Sequence, residues 1–184
     1  MSTSGIDRPS ENAYWVVPGR FAAGEYPGAK NRGDAAKKLR RLLGAGIDQF
    51  IDLTQPHELA PYAGIAEEEA TRLGLSVEHD RHSIPDVQIP RSRHEMTAIL
   101  DAIDAALGEG KTVYVHCWGG IGRTGTVVGC WLVRNGRTGE EALAQVAEWW
   151  QGVEKAWRRP ESPETPEQCD YVRNWTEPTT GVTP

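Results

Sequence analysis

Cysteine is scarce in this chain, with three residues among 184: Cys117, Cys130 and Cys169. They form an odd set without the paired spacing of metal ligands, which argues against both a disulfide scaffold and a zinc centre. Sparse free thiols are typical of proteins from a reducing compartment. We therefore expect neither a metal nor another cofactor.

Long apolar stretches are also lacking. Hydrophobic residues make up 39% of the chain, and no run of them is long enough to cross a membrane. The mean hydropathy of −0.52 is typical of a soluble globular protein. Residues 1–12 are polar and lack the apolar centre of a signal peptide. These features predict a cytoplasmic protein without a membrane partner.

Positive charge is in the minority, since 20 Lys and Arg residues stand against 26 Asp and Glu residues and the formal net charge is −6. No basic run with interleaved aromatic residues occurs, so nucleic acid is not an expected partner. The same balance gives no overall attraction for an anionic substrate. Any such attraction must come from a local site.

Internal repeats and coiled-coil heptads are absent as well. A length of 184 residues fits one domain that can bury a substantial core. We predict a single domain over residues 13–176, with flexible tails at 1–12 and 177–184.

The most informative stretch is HCWGGIGRTG, residues 116–125. The β-branched and aromatic residues 112–116 before it predict a short buried strand, and the apolar residues after it recur at helical spacing. A loop that turns into a helix N-terminus points several backbone N–H groups at one spot, where the helix dipole adds positive potential. This spot should bind an oxyanion.

The side chains of this stretch predict phosphoryl transfer to sulfur. The positive potential favours the thiolate of Cys117 over its thiol, and Arg123 offers a planar fork that fits two phosphate oxygens. The Thr124 hydroxyl can donate a hydrogen bond to the departing sulfur. The remaining loop residues are the expected phosphate-binding backbone: Trp118, Gly119, Gly120, Ile121 and Gly122.

The order His-Cys, five residues, Arg and then Thr resembles the signature of cysteine-dependent protein tyrosine phosphatases, and the layout from Trp15 to Trp175 resembles their small dual-specificity branch. The resemblance implies that His116 helps to hold the loop and to activate the thiol. It also implies a phosphorylated protein or peptide as substrate. Phosphoinositide phosphatases of this superfamily carry lysine where this chain has Trp118 and Ile121, which favours phosphoprotein over lipid.

A second informative stretch is SIPDVQIP, residues 83–90, a proline-bounded loop that follows a predicted strand. Its acid, Asp86, precedes Cys117 by 31 residues (117 − 86), which is about what one helix and one strand require. The gap is similar to that in dual-specificity phosphatases, so Asp86 is the predicted general acid. Asp52 and Glu25 are the alternative acids by their positions at the same sheet edge.

Late in the chain, Thr165 and Gln168 have the spacing of a capping box, with Pro166 at the first helical position. This cap alone can explain Gln168. In some phosphatases of the superfamily a late glutamine positions the hydrolytic water, so Gln168 is a candidate for that role. Arg158 and Arg159 are interpreted as solvated surface, with a contact to substrate as the alternative.

The alternation of predicted strands and helices indicates an α/β fold, with a mostly parallel central sheet, helices on both faces and an N-terminal β-hairpin. Asp34 is the expected cap of the first helix, and Glu67, Glu68 and Glu69 are an expected solvated face. The predicted elements are a hairpin around Pro18, a helix after Asp34, strands at 47–53 and 76–82, and helices at 62–73, from 92 to 108 and from 138 to 150.

These features predict a metal-independent phosphomonoester hydrolase with Cys117 as nucleophile. A rhodanese-like sulfurtransferase or an arsenate reductase is an alternative, because both can use a cysteine followed by an arginine. Asp86 and Thr124 argue against sulfur transfer, which needs neither group, while Cys130 and Cys169 could serve arsenate reduction. The third hypothesis is a module that binds phosphopeptides without catalysing a reaction.

Overall fold

The computed structural model describes residues 7–178. Its strands are β1 (Ala13–Val17), β2 (Phe21–Gly24), β3 (Gln49–Asp52), β4 (Glu78–Arg81) and β5 (Val113–His116). Its helices are α1 (Arg32–Gly44), α2 (Ala63–Arg72), α3 (Arg93–Gly108), α4 (Gly122–Arg134), α5 (Gly139–Gln151) and α6 (Pro166–Arg173), with a 3₁₀ helix at Glu154–Trp157.

One five-stranded sheet forms the centre of the fold, in the order β1-β2-β5-β3-β4. The β1–β2 hairpin is antiparallel, whereas β2, β5, β3 and β4 run parallel to one another. Parallel neighbours need long crossover connections, which the helices between them supply. The predicted α/β class with a mostly parallel sheet and an N-terminal hairpin is confirmed.

Helices cover both faces of this sheet, as predicted. Successive strand residues point to opposite faces, so Val113 and Val115 of β5 pack on one side and Tyr114 on the other. The larger core contains apolar residues of α3, α4, α5 and α6, whereas the smaller one contains those of α1 and α2. Both faces of β5 are therefore buried, and all four of its residues are inaccessible to solvent.

The register of β5 determines where the functional loops meet. His116, its last residue, is paired with Gly24 at the end of β2 and with Asp52 at the end of β3. Parallel strands that end together release their following loops at one edge of the sheet. The loops after β2, β3 and β5 consequently converge beside Cys117.

The first helix begins earlier than its sequence pattern predicts. Its N-cap is Asn31, whose side-chain oxygen accepts a hydrogen bond from the Asp34 backbone N–H, so Asp34 lies in the first turn and is not the cap. Both residue types suit a helix start, because asparagine can cap and aspartate favours the positive end of the dipole. The prediction of Asp34 as the cap is therefore wrong.

The expected solvated face of α2 is also only partly correct. Glu69 is buried, with 3% of its surface exposed, and its carboxylate pairs with Arg40 of α1 and Arg72. The ion pair with Arg40 of α1 places Glu69 in the interface between the two helices. The spacing of residues along α2 alone cannot predict such a partner.

Strand β4 forms one edge of the sheet, and most of its residues are exposed.

The ends of the described chain contact the domain. In the predicted N-terminal tail, the Glu11 carbonyl accepts a hydrogen bond from Glu154 N–H, and the Asn12 side chain accepts one from Lys155 N–H. At the other end, the carboxylate of Glu177 pairs with Arg134. These parts of the predicted tails are thus attached to the domain, while residues 1–6 and 179–184 lie outside the described part.

The segment between α5 and α6 is held against the core by buried Trp150. Its indole N–H donates to the Arg159 carbonyl over 2.6 Å, and Gln151 donates to the Pro160 carbonyl over 2.8 Å. Ser162 Oγ donates to the Ile121 carbonyl over 2.8 Å. The segment is therefore attached to both α5 and the loop that follows Cys117.

We expect Trp150→Phe to lower the free energy of unfolding by about 2–4 kcal/mol, because it removes buried volume and leaves the Arg159 carbonyl without its donor. Trp157→Phe is the control, since Trp157 is 74% exposed and should change stability by less than about 0.5 kcal/mol. Urea unfolding followed by circular dichroism measures both. Equal losses in the two variants would contradict the anchoring role of Trp150.

Candidate active site

Cys117 lies directly after β5 and is buried, with 3% of its surface exposed. The next residues, 118–121, form a tight loop that leads into α4, and we call residues 117–122 the signature loop. Gly120 has a φ of +76°, and a Cβ built on it would lie 2.4 Å from the Gly24 carbonyl carbon. Glycine is therefore required where the loop passes against the end of β2.

The start of α4 leaves its backbone donors free of side-chain capping. The N-cap residue, Ile121, offers no side-chain hydrogen bond to the first turn. The first N–H groups of a helix then seek an acceptor, and an anion is the group that the helix dipole favours at this end. The predicted strand, loop and helix start are all confirmed.

Arg123, in the first turn of α4, is buried with 1% of its surface exposed. Glu58 binds its guanidinium with both carboxylate oxygens, over 2.9 Å and 2.6 Å, and the Ile84 carbonyl accepts a third hydrogen bond over 3.0 Å. Burial alone would raise the pKa of Glu58, but its hydrogen bonds, above all from Arg123, hold that pKa below its ordinary value. Glu58 is a site residue that sequence reasoning missed.

Asp86 joins the same guanidinium. Its Oδ1 lies 2.8 Å from Arg123 Nη2, and its side chain is 51% exposed. The loop that carries it is attached to the end of β3, because Ile84 N–H donates to the Leu53 carbonyl and Ser83 Oγ to the Thr54 carbonyl, each over 3.0 Å. The sequence-predicted acid is thus brought beside Cys117 and Arg123 at one sheet edge.

Two strained residues flank these carboxylates. His57 precedes Glu58 with a φ of +67°, and Val87 follows Asp86 with a φ of +54°. A positive φ is unfavourable for any residue with a Cβ, and especially for a β-branched one such as valine. Such strain persists where the surrounding contacts fix the backbone. Each of the two residues is next in sequence to a carboxylate that contacts Arg123.

His116 is fully buried and holds the backbone at Cys117. Its Nδ1 lies 3.0 Å from the Cys117 carbonyl, which can only accept, so Nδ1 carries the proton. Its Nε2 lies 2.6 Å from Tyr62 Oη and accepts the hydroxyl proton. Burial lowers the pKa of His116 to about 4, so the imidazole is neutral at pH 7.

Neither alternative acid is suited to give up a proton at neutral pH. Burial alone would raise the pKa of Asp52, but hydrogen bonds from His79, Thr54 and Arg81 more than offset it and hold that pKa well below its ordinary value. Burial likewise opposes ionisation of Glu25, yet the contacts with Lys155 and Lys38 lower its pKa. The carboxyl groups of Asp52 and Glu25 are therefore ionised and already engaged in hydrogen bonds and ion pairs.

Thr124 lies in the first turn of α4, and Gln168, from α6, lies against Gly122 at the same helix start. Thr124 is fully buried, and its hydroxyl has no hydrogen-bond partner among the described residues. Gln168 is buried too, and its Oε1 accepts from the Glu164 and Thr165 N–H groups, which confirms the predicted capping box. Its amide also donates to the Gln88 carbonyl over 3.1 Å, which connects α6 to the loop of Asp86.

A cleft of about 370 Å³ opens onto Cys117, Arg123 and Asp86. Its walls include the signature loop, Asp86 and Val87, as the sequence predicts for the acid and the loop. They also include Lys155, Arg159 and Glu164 from the segment between α5 and α6. Lys155 and Glu164 carry no sequence signal for a place in the cleft, whereas a substrate contact is the alternative interpretation of Arg159.

The described residues contain no group of three or more His, Cys, Asp or Glu side chains that could hold a metal ion. Within the same part of the chain, the helices are all too short or too polar to cross a membrane. All three cysteines are free thiols.

Comparisons with known proteins identify a family and similar structures. The family described as "Polymorphic toxin system, DSP-PTPase phosphatase" matches residues 25–137. Mouse protein tyrosine phosphatase domain-containing protein 1 is 32% identical over 146 residues, which are 76% of this chain and 18% of that protein. Putative tyrosine phosphatase 067L of Invertebrate iridescent virus 3 is 28% identical over 52% of this chain and 38% of its own length.

Among solved structures, a mutant form of Tk-PTP is similar, with a TM-score of 0.66, 28% identity, and coverage of 88% of this chain and 92% of that one. The chain spans less than half the length of the two curated relatives. The fold and the matched family are those of a cysteine-based phosphatase. The chain belongs to the protein tyrosine phosphatase superfamily, as a small member of its dual-specificity-like DSP-PTPase family.

The lowered pKa of His116 predicts a loss of stability in mild acid. Between its ordinary pKa of 6.5 and its folded value of about 4, the unfolded chain binds a proton that the folded chain does not. Stability should therefore fall by up to about 3 kcal/mol as the pH drops through this window. Urea unfolding at pH 7 and pH 4.5 measures the change.

His116→Gln should show a smaller decrease than the wild type between the two pH values. His82, whose pKa burial also lowers, contributes equally in both proteins and cancels in the comparison. Nuclear magnetic resonance titration provides a direct check, since the His116 ring should not protonate above about pH 5. A ring that titrates near 6.5 would contradict the neutral, hydrogen-bonded imidazole.

Proposed function

We propose that this phosphatase hydrolyses phosphomonoesters in proteins, phosphotyrosine above all and also phosphoserine and phosphothreonine, through a cysteinyl-phosphate intermediate. The single observation that supports it best is the convergence of three groups: Cys117 in the signature loop, Arg123 at the start of α4, and Asp86 2.8 Å from that guanidinium. The nucleophile Cys117, the phosphate-binding Arg123 and the acid Asp86 all line one cleft.

In the first step, the Cys117 thiolate attacks phosphorus in line with the ester oxygen. The S–P bond forms as the P–O bond breaks, and Asp86 gives its proton to the leaving oxygen. Arg123 and the N–H groups of residues 118–122 bind the equatorial oxygens, where negative charge develops. Phosphate must first take the place of the Asp86 carboxylate on the guanidinium, and the released Asp86 takes up a proton from solvent before it donates that proton to the leaving oxygen.

In the second step, water attacks phosphorus and the S–P bond breaks. Asp86, now ionised, takes a proton from that water, while the thiolate leaves as inorganic phosphate forms. The buried Thr124 hydroxyl, which has no partner among the described residues, is suited to donate to the departing thiolate. Gln168 is placed beside Gly122 by its cap, and we propose it as the group that orients the water.

Arsenate reduction is less well supported, because it would need a second accessible thiol beside Cys117. Cys130 is fully buried in α4, and burial raises its pKa well above the ordinary value, so it stays a thiol. A cytoplasmic, reducing setting is the one we propose, since it preserves the Cys117 thiol. The absence of lysine at Trp118 and Ile121 favours protein over phosphoinositide substrates.

Cys117→Ser should abolish turnover of para-nitrophenyl phosphate and still bind a phosphotyrosyl peptide, because the hydroxyl is a poor nucleophile but the loop amides and Arg123 remain. Steady-state kinetics and fluorescence anisotropy measure the two properties. Cys169→Ser is the control and should keep wild-type turnover. Substantial turnover by the Cys117 variant would rule out the covalent mechanism.

Asp86→Asn should lower kcat for phenyl phosphate by about 10² to 10⁴, the usual worth of positioned proton transfer. The deficit should shrink with para-nitrophenyl phosphate, whose leaving group needs little protonation. KM should not rise, because an uncharged amide at position 86 competes less well than a carboxylate with phosphate for the Arg123 guanidinium. Asp101→Asn, an exposed acid of α3, is the control. A uniform kcat deficit for all leaving groups, or a change in KM alone, would exclude Asp86 as the acid.

A further inference from the structure

The rim of the catalytic cleft carries two cations that the chemistry at phosphorus does not use. Lys155 and Arg159 line the cleft together with the signature loop, although they come from the segment after α5. Arg123 is already balanced by Glu58, so these two side chains supply the remaining positive charge at the cleft wall. The hydrogen bonds and ion pairs of Lys155 and Arg159 show which of their donors remain available to a ligand.

Lys155 is held in place but retains unused donors. Its ammonium pairs with Glu25, and its backbone N–H donates to Asn12 Oδ1 over 3.2 Å. Glu25 also binds Lys38 over 3.1 Å, so two ammonium groups share one carboxylate and one positive charge remains. An ammonium has three donors, and the contact with Glu25 leaves others for a ligand.

Arg159 combines a fixed backbone with a free side chain. Its carbonyl accepts from the buried Trp150 indole, and its N–H donates to the Lys155 carbonyl over 3.1 Å. Its side chain is 68% exposed, and the contact of its guanidinium with Glu164 spans 3.8 Å, too long for a hydrogen bond. The planar fork can therefore bind a carboxylate with two parallel hydrogen bonds.

Exposed apolar side chains occur on the same cleft wall and next to the cations in the sequence. Trp118 and Val87, both on the cleft wall, are 57% and 51% exposed, and Trp157 beside the cations is 74% exposed. A polypeptide offers both apolar and acidic side chains to such a rim, whereas a polyphosphorylated ring offers only anionic groups. The composition of the rim thus favours a peptide ligand.

We propose that the substrate is a phosphopeptide with an acidic residue next to the phosphorylated one, and that Lys155 and Arg159 bind its carboxylate. This inference rests on the proposed function and specifies the substrate class of the same site. The phosphate occupies the signature loop, and the neighbouring carboxylate reaches the rim. Arg158, the sequence neighbour of Arg159, takes no part, because its guanidinium stacks on Trp157 with 4.4 Å to the ring centroid.

The experiment compares two phosphotyrosyl peptides that differ only in flanking glutamates or glutamines. Wild-type kcat/KM should be about tenfold higher for the glutamate peptide, and this ratio should fall as salt screens the exposed charges. Arg159→Gln and Lys155→Gln should each reduce the ratio, and the double variant should bring it close to one. Arg158→Gln, the matched control, should retain the wild-type ratio.

The ratio separates recognition from a merely structural role, since damage to the fold would slow both peptides equally. Equal kcat/KM for both peptides in the wild type, or a ratio unchanged in the double variant, would overturn the proposal. So would an inositol polyphosphate turned over faster than either peptide in a manner dependent on Lys155 and Arg159. Wild-type protein that fails to hydrolyse para-nitrophenyl phosphate would instead overturn the proposed function itself.

Discussion

The buried guanidinium of Arg123 is the constraint on which the arrangement of the site depends. A charge with 1% exposure must find acceptors inside the protein, because an unpaired buried ion would cost several kcal/mol. Glu58 supplies two acceptors from the loop after β3, and the Ile84 carbonyl and Asp86 supply others from the loop after β4. One side chain of α4 thereby fixes two loops against the signature loop.

A second, uncharged set of contacts supports the nucleophile from the other side. Tyr62 donates to His116, and neutral His116 donates to the Cys117 carbonyl, so hydrogen bonds hold the backbone at the start of the signature loop. Close packing completes the arrangement, since Gly120 passes against the end of β2. Charge therefore organises the anion-binding side, and neutral hydrogen bonds and packing organise the strand side.

Local sequence patterns predicted the elements well, and they failed where a distant contact competes with a local preference. The strand, loop and helix around Cys117 follow from β-branched residues, glycines and helical spacing, all of which act over a few residues. The prediction of Asp34 as the cap fails because Asn31, three positions earlier, is an equally suitable capping residue. The prediction of a solvated Glu69 fails because its partner, Arg40, belongs to another helix.

The sequence by itself determined the α/β class, the signature loop with Cys117 and Arg123, and the position of Asp86 on a loop at the same sheet edge. Only the tertiary structure revealed Glu58 as the partner of Arg123, 65 residues away, and brought Lys155 next to Glu25, 130 residues away. Ion pairs of this kind leave no periodic pattern along the chain. They arise because parallel strands end at one edge and collect side chains from loops that are remote in sequence.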